Sequence, residues 1–319
     1  MSLAECERRL RTLAAQAWDG EVRWSDMTAW AENFIGSTAP RHDEELHALF
    51  ALSRFMYFSR RLTREMLKAL YRDHFEAPTM QRIRRNFKGT RDVYLLRKQY
   101  QDQLSATRFV GLGNPAESGA HLLYVFRQVN DLPKDCFAAL QAAFASKPSR
   151  TRAGEIEYQI CNASVYRIVF FDYIVGSGTQ ATQYLSEELK RIRSGDPNLQ
   201  LSFLALFATT EGLERLNAPE LFDGHANCLF ELDSSFKAFS GDARYFAESP
   251  EWFKATAFQA MARQYGANLQ PDQPVGYKDG QLLLAFAHNT PDNTLPIFWD
   301  QGTRKHWHPI FPRFDKKYA

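Results

Sequence analysis

Through roughly the first hundred residues, apolar positions recur every three to four residues, the period of amphipathic helices. "HDEELHALFALSRFMYFSR" places Leu46, Leu49, Phe50, Ser53, Met56 and Tyr57 on one face, and acidic residues lead it, as helix N-termini prefer. "SDMTAWAENFIG" predicts a helix capped by Ser25 and stopped at Gly36. "TREMLKALYRDHF" aligns Met66, Leu67, Leu70, Tyr71 and His74 on a stripe. "TMQRIRRNFKGTRDVYLLRKQYQDQL" carries a basic helical pattern interrupted at Gly89.

Near Gln103 the texture changes. "TRFVGLGNP" predicts a strand ending in a loop. "SGAHLLYVFRQV" and "DCFAALQAAFAS" predict helices, the second closed by a Lys-Pro-Ser turn. Strands "YRIVFFDYIV", "LQLSFLALFAT" and "HANCLFELD" then alternate with helices "TQATQYLSEELKRIRSG" and "TEGLERLN". Alternation of this kind predicts an α/β fold with a mostly parallel sheet. A helix in "SPEWFKATAFQAMARQYG", a strand-turn-strand around "VGYKDGQLLLAFAHN" and a Pro- and Trp-rich tail complete the chain. The expected organisation is a helical region over 1–103, basic toward its end, followed by an α/β domain over 104–319.

Composition narrows this picture in a few respects. Hydrophobic residues make up 45% and charged residues 24% of the 319, the values of an ordinary globular protein. The formal net charge of +2 gives no overall bias toward nucleic acid. Locally, however, Arg54 to Lys98 holds 13 Lys and Arg against 4 Asp and Glu. Arg82, Arg84, Arg85 and Lys88 are suited to a phosphate backbone, with Phe87, Tyr94 and Tyr100 for base stacking. A solvated face, or a surface pairing with acidic protein, explains the same residues. Cys6, Cys136, Cys161 and Cys228 have neither zinc-site nor redox-pair spacing. No signal peptide and no membrane-length apolar run is legible, so a cytoplasmic protein is expected.

The candidate chemistry lies in "VFFDYIVGSGTQA". A strand that ends in a glycine-containing turn aims the next helix's free amides outward, where they and the helix dipole favour an anion. Gly176 and Gly178 permit positive φ and close approach of a phosphate. Ser177 and Thr179 add hydroxyls, although either also serves as a plain helix cap. Asp172, four residues upstream, is placed to hold ribose hydroxyls or a divalent metal, or else to satisfy loop amides. An earlier segment, "GLGNPAESG", fits a loose dinucleotide pattern through Gly111, Gly113 and Ala116, with Asp131 near the distance of the acidic residue such a unit requires. A satisfied or exposed histidine explains His42, His47, His306 and His308 better than a metal site.

The strand, Asp172 and the loop Gly176-Ser177-Gly178-Thr179-Gln180 resemble the phosphoribosyltransferase signature, with Tyr173 where that signature has a second acidic residue. "GLGNPAESG", "HNTPDNTLPIFW" and "HPIFPR" together look like the phosphoribosyltransferases of bacterial conflict systems, over roughly residues 105–315. The resemblance implies a phosphoribosyltransferase-type sheet that binds phosphoribosyl pyrophosphate or a related nucleotide. Tyr173 and Gly176, Ser177, Gly178, Thr179 and Gln180 would bind substrate, the Gly176–Thr179 amides holding the 5-phosphate, and Gly113, Asn114, Ser118 and Gly119 would lie on the pyrophosphate side. Asp172 would be the catalytic and magnesium-facing carboxylate. It also implies an antiphage setting, in some cases beside a retron reverse transcriptase with its RNA–DNA and a winged-helix protein, with oligomerisation left open. Tyr173 keeps a second reading alive, that of an inactive scaffold binding a protein or nucleic acid. Asn289 and Asn293 are candidates for a base pocket or, equally, for part of a tail covering the sheet; Trp299, a further pocket candidate, reads better with Trp307 and Phe311 as cover for the sheet.

Overall fold

The computed structural model describes residues 3–112, 118–149, 154–302 and 307–314. In chain order the elements are α1 (Leu3–Gln16), α2 (Trp24–Ala31), α3 (Arg41–Leu52), β1 (Met56–Phe58), α4 (Arg60–Tyr71), α5 (Ala77–Asn86), α6 (Val93–Ser105), β2 (Thr107–Gly111) and α7 (Ser118–Val129). They continue with α8 (Leu140–Ala143), β3 (Phe144–Pro148), β4 (Ile156–Ile160), β5 (Arg167–Val175), α9 (Thr179–Gly195), β6 (Gln200–Thr209), α10 (Thr210–Leu216), β7 (Ala226–Leu232), α11 (Ala255–Leu269), β8 (Leu284–Phe286) and α12 (Pro296–Trp299). No helix among the described residues is long and apolar enough to cross a membrane.

The chain divides into two compact units. One combines residues 1–63 with 233–319, and the other is the continuous stretch 64–232. Gln103, where the sequence pattern changes, lies in the last turn of α6, inside the second unit.

The second unit holds a four-stranded parallel sheet in the order β2-β5-β6-β7. β5 and β6 are apolar along almost their whole length because they are central and covered on both faces. On one face Phe170, Ile168 and Phe203 pack with Leu185, Leu189 and Ile192 of α9. On the other, Phe171 meets Phe126 of α7 with ring centroids 4.5 Å apart. Between α4 and α5 the helix widens into a π turn over Arg72–Glu76. Pro78, in the first turn of α5, lacks the N–H that a regular ladder needs, which is a physical reason for the irregularity there.

The first unit is an aromatic-rich helical core in which Trp30 stacks on Phe298 and Phe55 on Phe311. Its β1 and β8 pair in parallel, so the two ends of the chain share one small sheet.

Four local expectations are corrected. Met56 and Tyr57 do not continue a helix. α3 stops at Leu52, and "MYF" becomes β1 because it has a partner in β8. The alanine-rich "DCFAALQAAFAS" is helical only over Leu140–Ala143; from Phe144 it pairs antiparallel with β4, tertiary pairing overriding propensity. The strand-turn-strand around "VGYKDGQLLLAFAHN" yields one strand, β8, after a short helical turn at Tyr277–Asp279. α2 is capped two residues earlier than expected, at Arg23, and Asp26, not Ser25, closes its start by accepting the Arg23 amide at 3.0 Å.

Candidate functional site

Parallel strands deliver their C-terminal ends to one edge of a sheet, where open α/β folds place ligands. β2 and β5 are neighbours in register, Gly111 opposite Phe171, and the Leu112 amide donates to the Phe171 carbonyl at 3.0 Å. The segment after Gly111 and the segment after Val175 therefore leave adjacent strands at the same edge. These are the two loops expected to hold the pyrophosphate and 5-phosphate sides.

Asp172 is half-buried near the end of β5, and its Oδ1 accepts the Tyr173 amide at 2.7 Å. Side chains alternate along a strand, so Tyr173 points to the opposite face from Asp172. It is only 3% exposed. Burial first, and the neighbouring Asp172 charge second, push its phenol well above the ordinary range, so it stays neutral. A second carboxylate at this position would lose its hydration among apolar neighbours, whereas a neutral phenol tolerates the site.

The Gly176–Gly178 bend lies against the start of α10. Gly178 has φ +70° and caps α9 in the left-handed region, where no side chain competes for the helix's first amides. Among the described residues, no protein carbonyl is bonded to the main-chain amides of Gly176 or Gly178. Thr209 Oγ1 donates to the Gly176 carbonyl at 2.6 Å and accepts the Gly212 amide at 3.0 Å, so one hydroxyl joins the bend to α10. Gly212 makes this approach possible, because a Cβ there would lie 2.2 Å from the Gly176 carbonyl oxygen. Thr209 and Gly212 were not among the residues singled out in the sequence. "TTEG" offers only the signal of a capping threonine.

The remaining candidates are placed as follows. Thr179 and Gln180 open α9, and Ser118 and Gly119 open α7. Gly113, Asn114 and Ala116 lie outside the described residues, as does His306. Asp131 follows α7 and ends no strand, so the dinucleotide pattern lacks its second strand. Arg82, Arg84 and Arg85 are exposed on α5, and Lys88 follows it at φ +53°. His47 packs on Phe253 and Trp252 and takes no part in a metal cluster. In the first unit, Trp299 donates to the Thr294 carbonyl at 2.8 Å, Asn293 to the Tyr277 carbonyl at 3.1 Å, and Asn289 Oδ1 accepts the Thr290 and Phe314 amides. Those three side chains are thus committed to holding the tail.

The family model PRTase-CE matches residues 27–313. Solved structures similar to this chain include xanthine-guanine-hypoxanthine phosphoribosyltransferase from Helicobacter pylori, at 12% identity, 56% coverage of this chain and 86% of that one, and a TM-score of 0.28. Orotate phosphoribosyltransferase from Aeropyrum pernix is 16% identical over 44% of this chain and 77% of its own, with a TM-score of 0.24. Adenine phosphoribosyltransferase from Trypanosoma brucei, solved with AMP, pyrophosphate and ribose-5-phosphate, is 13% identical over 40% of this chain and 56% of its own, also at 0.24. No curated protein matches the chain. With most of its length, including the Asp172 strand and the glycine bend, inside the family match, the chain belongs to the PRTase-CE family and is a phosphoribosyltransferase-like protein.

Proposed function

We propose that the 64–232 unit binds phosphoribosyl pyrophosphate, or a related nucleotide, at the C-terminal edge of its sheet and transfers or hydrolyses the ribosyl group. The observation that carries this reading is the departure of both loops from adjacent parallel strands beside Asp172, one of them entering a helix through a left-handed glycine. Main-chain donors around Gly176–Thr179 would hold the 5-phosphate against the α9 dipole. Asp172 would orient the ribose hydroxyls. Ser118 and Gly119, at the start of α7, would face pyrophosphate.

In the reaction, the C1–oxygen bond to pyrophosphate breaks with its electron pair leaving on pyrophosphate, through an oxocarbenium-like transition state. The acceptor, or water in the hydrolytic variant, forms the new bond at C1 and releases its proton to solvent. Preorganised donors and exclusion of misaligned water are the chain's own contribution. Among the described residues, no three His, Cys, Asp or Glu side chains gather as a metal site. Asp172 as single carboxylate suits a magnesium ion that arrives on pyrophosphate, which would neutralise the leaving group's charge. The motifs shared with conflict-system phosphoribosyltransferases support a role as effector or accessory protein in antiphage defence, with a retron reverse transcriptase, its RNA–DNA and a winged-helix protein as the partners to seek.

Tyr173 favours a second reading, in which the fold binds a partner without turnover. Thermal unfolding with phosphoribosyl pyrophosphate and magnesium separates the two. Ligand at a hundred times its Kd stabilises by about 2.7 kcal/mol, and Asp172→Ala should abolish most of that shift. Wild-type stabilisation with pyrophosphate release supports turnover, and stabilisation without release supports the scaffold. No stabilisation at millimolar ligand overturns the binding claim itself.

A further inference from the structure

At the other edge of the same sheet, where β5 and β6 begin, the 64–232 unit forms a half-open cavity of about 430 Å³. Arg82, Arg167 and Arg193 line it, with His74 and His225. Arg167 and Asp172 are five positions apart on β5, about 17 Å of strand. The cavity is therefore distinct from the loops considered above.

Arg167 is the informative residue. It is 6% exposed, yet among the described residues its guanidinium donates only to amide oxygens at long range, Gln200 Oε1 at 3.3 Å and Gln103 Oε1 at 3.5 Å, and it lies over the Phe75 and Tyr166 rings. Among the described residues it has no carboxylate partner, and neither has Arg82, whose one bond is to Thr79 Oγ1 at 3.4 Å. Buried charges are ordinarily paired, and a lone one carries a large desolvation penalty. Arg82 and Arg167 line the same cavity, and burial first, then the Arg82 charge, lower the Arg167 pKa. Arg193 is locked in place by donating to the Glu220 carbonyl at 2.6 Å and to that of Leu221. Asp223 is the single carboxylate in the lining; it is exposed and forms no ion pair among the described residues. The π turn over Arg72–Glu76 aims His74 and Phe75 at the same space, and such irregular turns are frequent at functional sites.

We propose that this cavity is a second ligand site, for a phosphomonoester of nucleotide size, with the phosphate between Arg82 and Arg167. Two guanidiniums supply charge-assisted bonds to phosphate oxygens. The volume lies within the range of small-molecule sites. Gln200 and Asn227 bring amide groups for a sugar or base edge. A polynucleotide lying along α5 would instead depend on Arg84, Arg85 and Lys88, which are outside the lining.

The test is hydrogen exchange and calorimetry on the full chain with AMP as probe, comparing wild type with Arg82→Gln and Arg85→Gln, both at exposed positions of α5. AMP is expected to slow exchange over residues 72–82 and 199–202. Arg82→Gln should abolish that protection and weaken AMP binding by about tenfold or more, whereas Arg85→Gln leaves both unchanged. Inorganic phosphate should protect the same segments more weakly. The proposal fails if millimolar AMP leaves 72–82 unprotected, if protection survives Arg82→Gln, or if Arg85→Gln removes it equally, which marks a diffuse polynucleotide surface. Protection at 176–182 reports the other edge of the sheet, so failure of one site is not mistaken for failure of the other.

Discussion

Gly212→Ala is a one-carbon change that reads the geometry of the bend directly. The added Cβ would lie 2.2 Å from the Gly176 carbonyl oxygen, 3.0 Å from Val175 Cγ1 and 3.1 Å from Thr209 Oγ1. Normal contact requires α10 or the bend to retreat by about 1 Å, and overpacking of this kind costs about 1–3 kcal/mol. Loss of the Thr209–Gly176 hydrogen bond adds about 1 kcal/mol. Alanine's helix propensity returns up to about 1 kcal/mol. The expected net loss is about 2 kcal/mol, which for a unit of this size lowers Tm by roughly 4–8 °C. Displacing the bend by that distance should also erase the stabilisation by phosphoribosyl pyrophosphate, because phosphate donors act only in register. Differential scanning calorimetry with and without ligand measures both effects. Gly241→Ala is the control, since its added Cβ meets nothing within 4 Å. A Gly212→Ala protein as stable as wild type, with an intact ligand shift, would refute the close approach and the rigid bend built on it.

Two further predictions concern buried charge. Arg167→Met should leave Tm unchanged or raised while abolishing AMP protection of residues 72–82, because the guanidinium it removes lacks a carboxylate partner; a fall of many degrees would show that Arg167 is a structural strut. Glu44 is 1% exposed and accepts from the Gly36, Thr38 and Ala39 amides, Thr38 Oγ1 and the Tyr265 hydroxyl. Burial alone would raise its pKa, but these bonds outweigh it and the net shift is downward. Its contribution is therefore complete above the unfolded carboxylate's pKa and is lost as pH falls through the lower folded value. Glu44→Gln should cost about 2–3 kcal/mol at neutral pH and flatten the acid limb of stability against pH; an unchanged acid limb would refute this.

Much of the 64–232 unit was legible because its central strands are apolar on both faces. "RIVFFDYIV" and "LQLSFLALFAT" read as strands for the reason that makes them central, and the glycines at 176 and 178 mark the bend between strand and helix. β1 and β8 were not legible. Each is three residues long, and each exists only because the other end of the chain supplies its partner. β3 was hidden by a run of alanines whose local preference is helical. Gly212 has meaning only once α10 lies against the Gly176 carbonyl. Arg167 reads in sequence as an ordinary polar strand start; its isolation from carboxylates depends on which residues surround the edge of the sheet. Arg82 sat in a basic run with Arg84 and Arg85, and only the helix surface sorts it into a cavity.

The pairing of β1 with β8 has a consequence for synthesis. A ribosome delivers residues 64–232 whole while β8 is still untranslated, so the phosphoribosyltransferase-like sheet has every strand it needs before the other unit can close. Chains cut short before Leu284 would carry a finished parallel sheet and an orphaned β1, and quality control would meet the aromatic core as its exposed part.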